Sequence, residues 1–73
     1  MDQPLRKWLA ARLKSQRQLL GMTQAVVAER CGICTRYYQK LEKGLVNASL
    51  DVALRLARVL AFSLDAYHNE TGD

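Results

Sequence analysis

Two cysteines, Cys31 and Cys34, stand in a C-x-x-C spacing, and a single histidine, His68, follows near the end of the chain. Such a pair can open a zinc site or act as a redox couple. Zinc asks for four ligands, and no second pair is present to complete the set. A thioredoxin-like couple needs a preceding strand and a βαβ setting, and no sustained period-two alternation precedes this pair. No nucleophile stands with a base in a pattern that could run a reaction, and one histidine near a chain end is not a site. These residues point away from an enzyme, a metal centre or a bound cofactor. The remaining reading is that the cysteines flank a turn.

Chemistry of another kind lies just beyond them. The stretch CGICTRYYQKLEKG, Cys31 to Gly44, carries Arg36, Gln39, Lys40 and Lys43 among its apolar positions. At about 100° per residue, a helix with Tyr38 and Leu41 inward turns those four polar side chains to the opposite side, within roughly 100° of arc. Thr35 falls at the N-terminal tip and Tyr37 on the flank. A charged face that meets only solvent would have the same pattern, so the preceding turn must decide. Counting from Gln24, Ala28 is the fifth residue and Gly32 the ninth. A helix-turn-helix needs a small residue where the second helix crosses the first, and a residue tolerant of positive φ in its tight turn. Val27, Cys31, Ile33, Tyr38 and Leu41 complete an inward seam, with Cys31 serving as a small hydrophobe. That arrangement presents the polar face to the major groove of double-stranded DNA.

Roles follow from the side chains. Arg36 can donate two hydrogen bonds to a guanine edge, Gln39 can pair with adenine, and Lys40 can take a base or a phosphate. The hydroxyls of Thr35 and Tyr37 suit phosphates or pyrimidine edges. Thr23 and Gln24 open the preceding helix, where backbone N–H groups and the helix dipole favour a phosphate. Glu42 stands at the wrong end of its helix for a carboxylate and points inward, so it needs a cation. Arg17 is the candidate partner, unless Glu42 is an ordinary surface acid.

The elements that must position these groups are all helical. Pro4 suits a helical first turn, with Asp2 as a cap, and Leu5, Trp8, Leu9 and Leu13 form an apolar stripe for a helix reaching about Leu20. Gly21 ends it, Thr23 caps the next helix, and Gly32 closes that one. A third helix runs from about Thr35 to Lys43 and stops at Gly44. Ser49 caps a fourth, with Asp51 in its first turn, and Ser63 caps a last short one. The spacing predicts an all-α, five-helix domain over residues 1–68, with 69–73 as a frayed tail.

Composition agrees with this. The chain has 73 residues, 49% of them hydrophobic but few aromatic, which suits a small aliphatic core. Neither a leader peptide nor an apolar run long enough for a membrane span is visible, so a cytoplasmic protein, nucleoid-associated when on DNA, is expected. Residues 1–22 hold five Lys or Arg against Asp2 alone, 23–44 hold four against Glu29 and Glu42, and 45–73 hold two against four acids. A basic front and an acidic rear suit a one-sided polyanion binder, although a merely solubilising basic surface has the same balance.

The residues Arg17, Gly21 to Gln24, Ala28, Gly32, Leu41-Glu42-x-Gly44, Asn47 and Ser63-Leu64-Asp65 resemble the Cro/CI-type (XRE) helix-turn-helix family over about residues 9–67. The resemblance implies a lambda-repressor-like fold and DNA binding as a homodimer on a palindrome, in transcriptional control. It implies base reading by Thr35, Arg36, Gln39 and Lys40, phosphate contacts from Gln24, Tyr37 and Asn47, and a pair between Arg17 and Glu42. Thr23 and Lys43 join the phosphate set by position. The chain departs from the family pattern in several places. Cys34 is a weak cap where the family has Ser or Thr, so Thr35 could take over and shift the tip of the third helix. The loop after Gly44 is Leu45-Val46 rather than basic, Ala48 replaces a proline, and Ala61 replaces a glycine. Leu45, Val46 and Phe62 are thus expected to form an apolar dimer patch, unless they are scattered surface hydrophobes. An antitoxin or a protein-interaction module that keeps the fold and binds a protein partner is the competing reading.

Overall fold

A computed structural model describes residues 4–67. Four helices follow one another: α1 Leu5–Leu19, α2 Gln24–Cys31, α3 Thr35–Glu42 and α4 Leu50–Val59. A fifth helical segment covers residues 65–67 at the edge of the described chain. The Asp2 cap, His68 and the proposed tail lie outside the described residues.

Each boundary has a local cause. The side-chain oxygens of Thr23 and Ser49 accept from the N–H groups of Val26 and Val52, so both work as N-caps. Gly21, Gly32 and Gly44 all adopt positive φ, which a side chain would resist. Pro4 differs from expectation: it is the cap residue rather than part of the first turn. Its ψ of 141° is extended, which frees its carbonyl to accept from the N–H groups of Lys7 and Trp8. Cys34 also departs from expectation. Its Sγ accepts from Tyr37 N at 3.4 Å, and α3 begins at Thr35 without a shifted tip.

The core is aliphatic around two rings. Leu9, Leu13, Val27, Ala28, Cys31, Leu41, Leu56 and Leu60 bury themselves with Trp8 and Tyr38. α3 packs on both α1 and α2, and α4 packs on α2. Trp8 meets Phe62 and Tyr67 edge-on, at centroid distances of 6.3 and 5.4 Å, which fastens the end of the described chain to α1. Gly44 is buried against α1, where a Cβ would lie at ordinary contact distance, 3.6 Å from Ala10 Cβ and 3.8 Å from Arg6 O. Leu5, expected in the core stripe, is instead half exposed at the start of α1. The apolar patch is likewise redistributed. Val46 and Phe62 pack against the core, and only Leu45 of the three stays exposed, at 65%.

Candidate nucleic-acid interface

The turn between α2 and α3 is where the geometry begins. Gly32 takes φ 71° and ψ 30°, and its N–H and that of Ile33 bond back to Glu29 O and Ala28 O. Such a left-handed closure ends α2 and redirects the chain into α3, while Ala28, fully buried, allows the two helices to meet. Arg55 of α4 braces the same turn, donating from Nη1 to Cys31 O and from Nη2 to Asp51. Cys31 is buried, which pushes its thiol up from the ordinary range, and Cys34 is exposed at the cap. Neither cysteine is in a disulfide, and among the described residues no group of His, Cys, Asp and Glu could hold a metal ion.

With Tyr38 and Leu41 buried, α3 turns Arg36, Gln39, Lys40 and Lys43 to the outside. Arg36 and Lys40 are one turn apart, as are Gln39 and Lys43, so the four form two rows along one face. Thr35 and Tyr37 are half-buried at its rim, and Tyr37 leans on the core. Thr23 is exposed, its hydroxyl oxygen accepting from Val26 N while the hydroxyl hydrogen remains for a donor role. Asn47 lies apart from this face, lining a groove with Leu5, Leu9 and Leu50. Asn47, expected from the sequence as a phosphate contact, is therefore separate from the α3 row.

Behind the face sits an ion pair. Arg17 donates from Nε to Glu42 Oε2 at 2.9 Å and from Nη2 to Oε1 at 2.8 Å, a two-pronged contact with only 6% of the Glu42 side chain exposed. Arg17 Nη1 also donates to Met22 O, which joins the end of α1, the following turn and the end of α3. Burial alone would push the Glu42 carboxyl up. Hydrogen bonds from Arg17, with help from Tyr38 and Gln24, hold it below its ordinary value instead. The same contact raises Arg17. Burial drives the Tyr38 phenol far above its usual range, and the Glu42 charge adds to this. Its hydroxyl lies beside the pair at a geometry short of a hydrogen bond, so it remains a buried polar atom without a partner.

One arrangement at the start of α2 differs from the expected phosphate contact of Gln24. Gln24 does not extend its side chain outward. Its Nε2 donates to Glu42 Oε1 at 3.2 Å, and its Oε1 accepts from Gln39 Nε2 at 3.3 Å. These links set the N-terminus of α2 directly beside the exposed row of α3. The signal was present in the sequence, since a carboxylate with one arginine still has lone pairs to satisfy and Gln24 opens the adjacent helix.

Comparison with known proteins agrees with this architecture. Residues 13–67 match the family described as helix-turn-helix. An uncharacterised HTH-type transcriptional regulator of Methanothermobacter thermautotrophicus is 42% identical over 48 residues, covering 66% of this chain and 70% of that protein. Another from Mycobacterium tuberculosis is 30% identical over 60 residues, covering 82% of this chain but 43% of its own length. The chain therefore spans less than half of that relative. Two crystal structures of the clp gene regulator ClgR from Corynebacterium glutamicum, both 27% identical, superpose with TM-scores of 0.84 and 0.81. The first covers 97% of this chain and 76% of that one, and the second 96% and 91%. With the turn, the seam and the paired Arg17 and Glu42 in place, the chain belongs to the helix-turn-helix family of the Cro/CI (XRE) type.

Proposed function

We propose that this chain is a sequence-specific, double-stranded-DNA-binding transcriptional regulator that lays α3 in the major groove. The observation that carries the reading is the exposed row Arg36, Gln39, Lys40 and Lys43, held against a buried ion pair instead of on a loose surface helix. Arg36, Gln39, Lys40 and the Thr35 tip read base edges, while Thr23, Tyr37, Lys43 and the first N–H groups of α2 take phosphates. An eight-residue helix reaches only a few base pairs. Two copies on a palindrome, with recognition helices about 34 Å apart, would supply the selectivity that one copy lacks. A repressor or controller acting in the cytoplasm as a homodimer is the form this takes.

The test is a titration of wild type and Arg36→Ala/Lys40→Ala into duplex from the gene's own upstream region and into random duplex, at two salt concentrations. Selective binding should weaken by about 2 kcal/mol or more in the double variant, with a much smaller loss on random duplex. Equal losses on both would reduce the two residues to phosphate clamps. Weak, salt-sensitive binding to both duplexes by wild type would reject the reading.

A second reading has its own observation. Leu45, Leu50 and Leu54 are 65, 73 and 51% exposed, and a groove of about 340 Å³ opens between the start of α1 and α4. An antitoxin or interaction module would use such surface on a protein partner. Co-purification of that partner, lost in Leu50→Asp but kept in Arg36→Ala/Lys40→Ala, would favour it.

A further inference from the structure

The polar groups between the ion pair and the outer row of α3 are chained in one direction. Glu42, gripped at both oxygens by Arg17, can only accept. Gln24 must turn its amide nitrogen toward Glu42, which leaves its carbonyl oxygen facing α3. Gln39 must answer that oxygen with its own nitrogen. One N–H of Gln39 is then committed, and its carbonyl and remaining N–H are left for the outside. A solitary surface glutamine has no such constraint and can present either edge of its amide.

We propose that Gln24 is a positioning residue that fixes the amide polarity of Gln39, so that Gln39 selects adenine over guanine at its place in the operator. Adenine offers a donor at N6 beside an acceptor at N7, which a carbonyl and one N–H match. Guanine offers two acceptors, O6 and N7, and asks for two donors from its partner. Gln39 has one N–H left to give. The inference rests on the reading that this face of α3 enters a major groove. It assigns Gln24 a role other than phosphate contact, because its side chain is occupied in the relay while its backbone N–H stays at the helix N-terminus.

The experiment is selection of bound duplexes from a random library by wild type, Gln39→Ala, Gln24→Met and Gln24→Glu, with circular dichroism to follow folding. Wild type should enrich a motif in which Gln39→Ala relaxes one position. There wild type should favour adenine over guanine by about tenfold or more. Gln24→Met keeps the length but neither donates nor accepts usefully, and should lose that preference while the rest of the motif stands. Gln24→Glu cannot donate to Glu42 and sets two carboxylates side by side, so it should lose the preference as Gln24→Met does. The readout is a ratio between two bases, so partial loss of folded protein does not move it. No enriched motif from wild type would overturn the DNA-reading function and the relay together. A motif with guanine at the Gln39 position, or an adenine preference unchanged in Gln24→Met, would overturn the relay alone.

Discussion

Residues 24–42 and residues 43–67 solve the same folding problem in different ways. In the first stretch the turn uses a glycine at positive φ, the inward seam is closed, and the buried Glu42 carboxylate and the half-buried Gln24 both have partners. In the second, Gly44 opens with a positive φ of its own, but Ala61 occupies the left-handed region with φ 56° without a glycine's freedom, and leucines at 45, 50 and 54 stay in water. The first stretch is built to hold side chains still, as a groove reader requires. The second accepts backbone strain at Ala61 and leaves apolar surface open.

The strongest way to break this contrast is to remove the ion pair. Glu42→Ala leaves Arg17 half-buried without its anion, and should cost about 2–4 kcal/mol of stability, read by denaturant unfolding. The pH dependence has a defined sign. Glu42 is held below its ordinary value in the fold, so its contribution is present above the glutamate range and is lost as pH falls through the lowered folded value. Wild type should melt progressively earlier below about pH 4.5, and Glu42→Gln should flatten that part of the profile. A profile of equal slope in both would mean that Glu42 does not carry the acid sensitivity.

Smaller effects are expected at the glycine and alanine turns. Gly44→Ala should lose about 1–2 kcal/mol in thermal unfolding, mainly from its φ of 74°, since the added methyl meets Ala10 at ordinary contact distance. Ala61→Gly should gain about 0.5–1 kcal/mol, because the strain it removes exceeds the entropy that glycine adds. A neutral or destabilising Ala61→Gly would mean that the second stretch is no more strained than the first. On the apolar side, Leu45→Asp should leave the melting curve nearly unchanged, while sedimentation should show weaker self-association if Leu45 lies between two copies.

Much of this could be read from single residues and their spacing. The caps at Thr23 and Ser49, the left-handed glycines and the outward row of α3 all depend on contacts within a turn or two, and those leave a local trace. The misplaced features depend on contacts far apart in the chain. Val46 and Phe62 look like surface residues until the core they lean on is assembled, and Phe62 meets Trp8 from the other end of the domain. Leu5 fits the stripe of α1 by period but lines an open groove with Leu9, Asn47 and Leu50, so it stays half exposed. The inward turn of Gln24 follows from the unspent lone pairs of Glu42, a tally that becomes possible only once α3 is known to end beside α2. Cys34 caps its helix because a sulfur at that position still reaches Tyr37 N–H, which propensity alone understates.

One link between distant ends has a kinetic side. Gln16, in the middle of α1, donates from Nε2 to Leu60 O at 2.9 Å, closing a carbonyl at the end of α4. The last turn of α4 is therefore completed by a residue 44 positions earlier, and the two segments should open as one unit under native conditions. Amide exchange in Leu60 and Phe62 should then track exchange in the middle of α1, so that a ribosome-bound chain would complete α4 only by returning to the helix it made first.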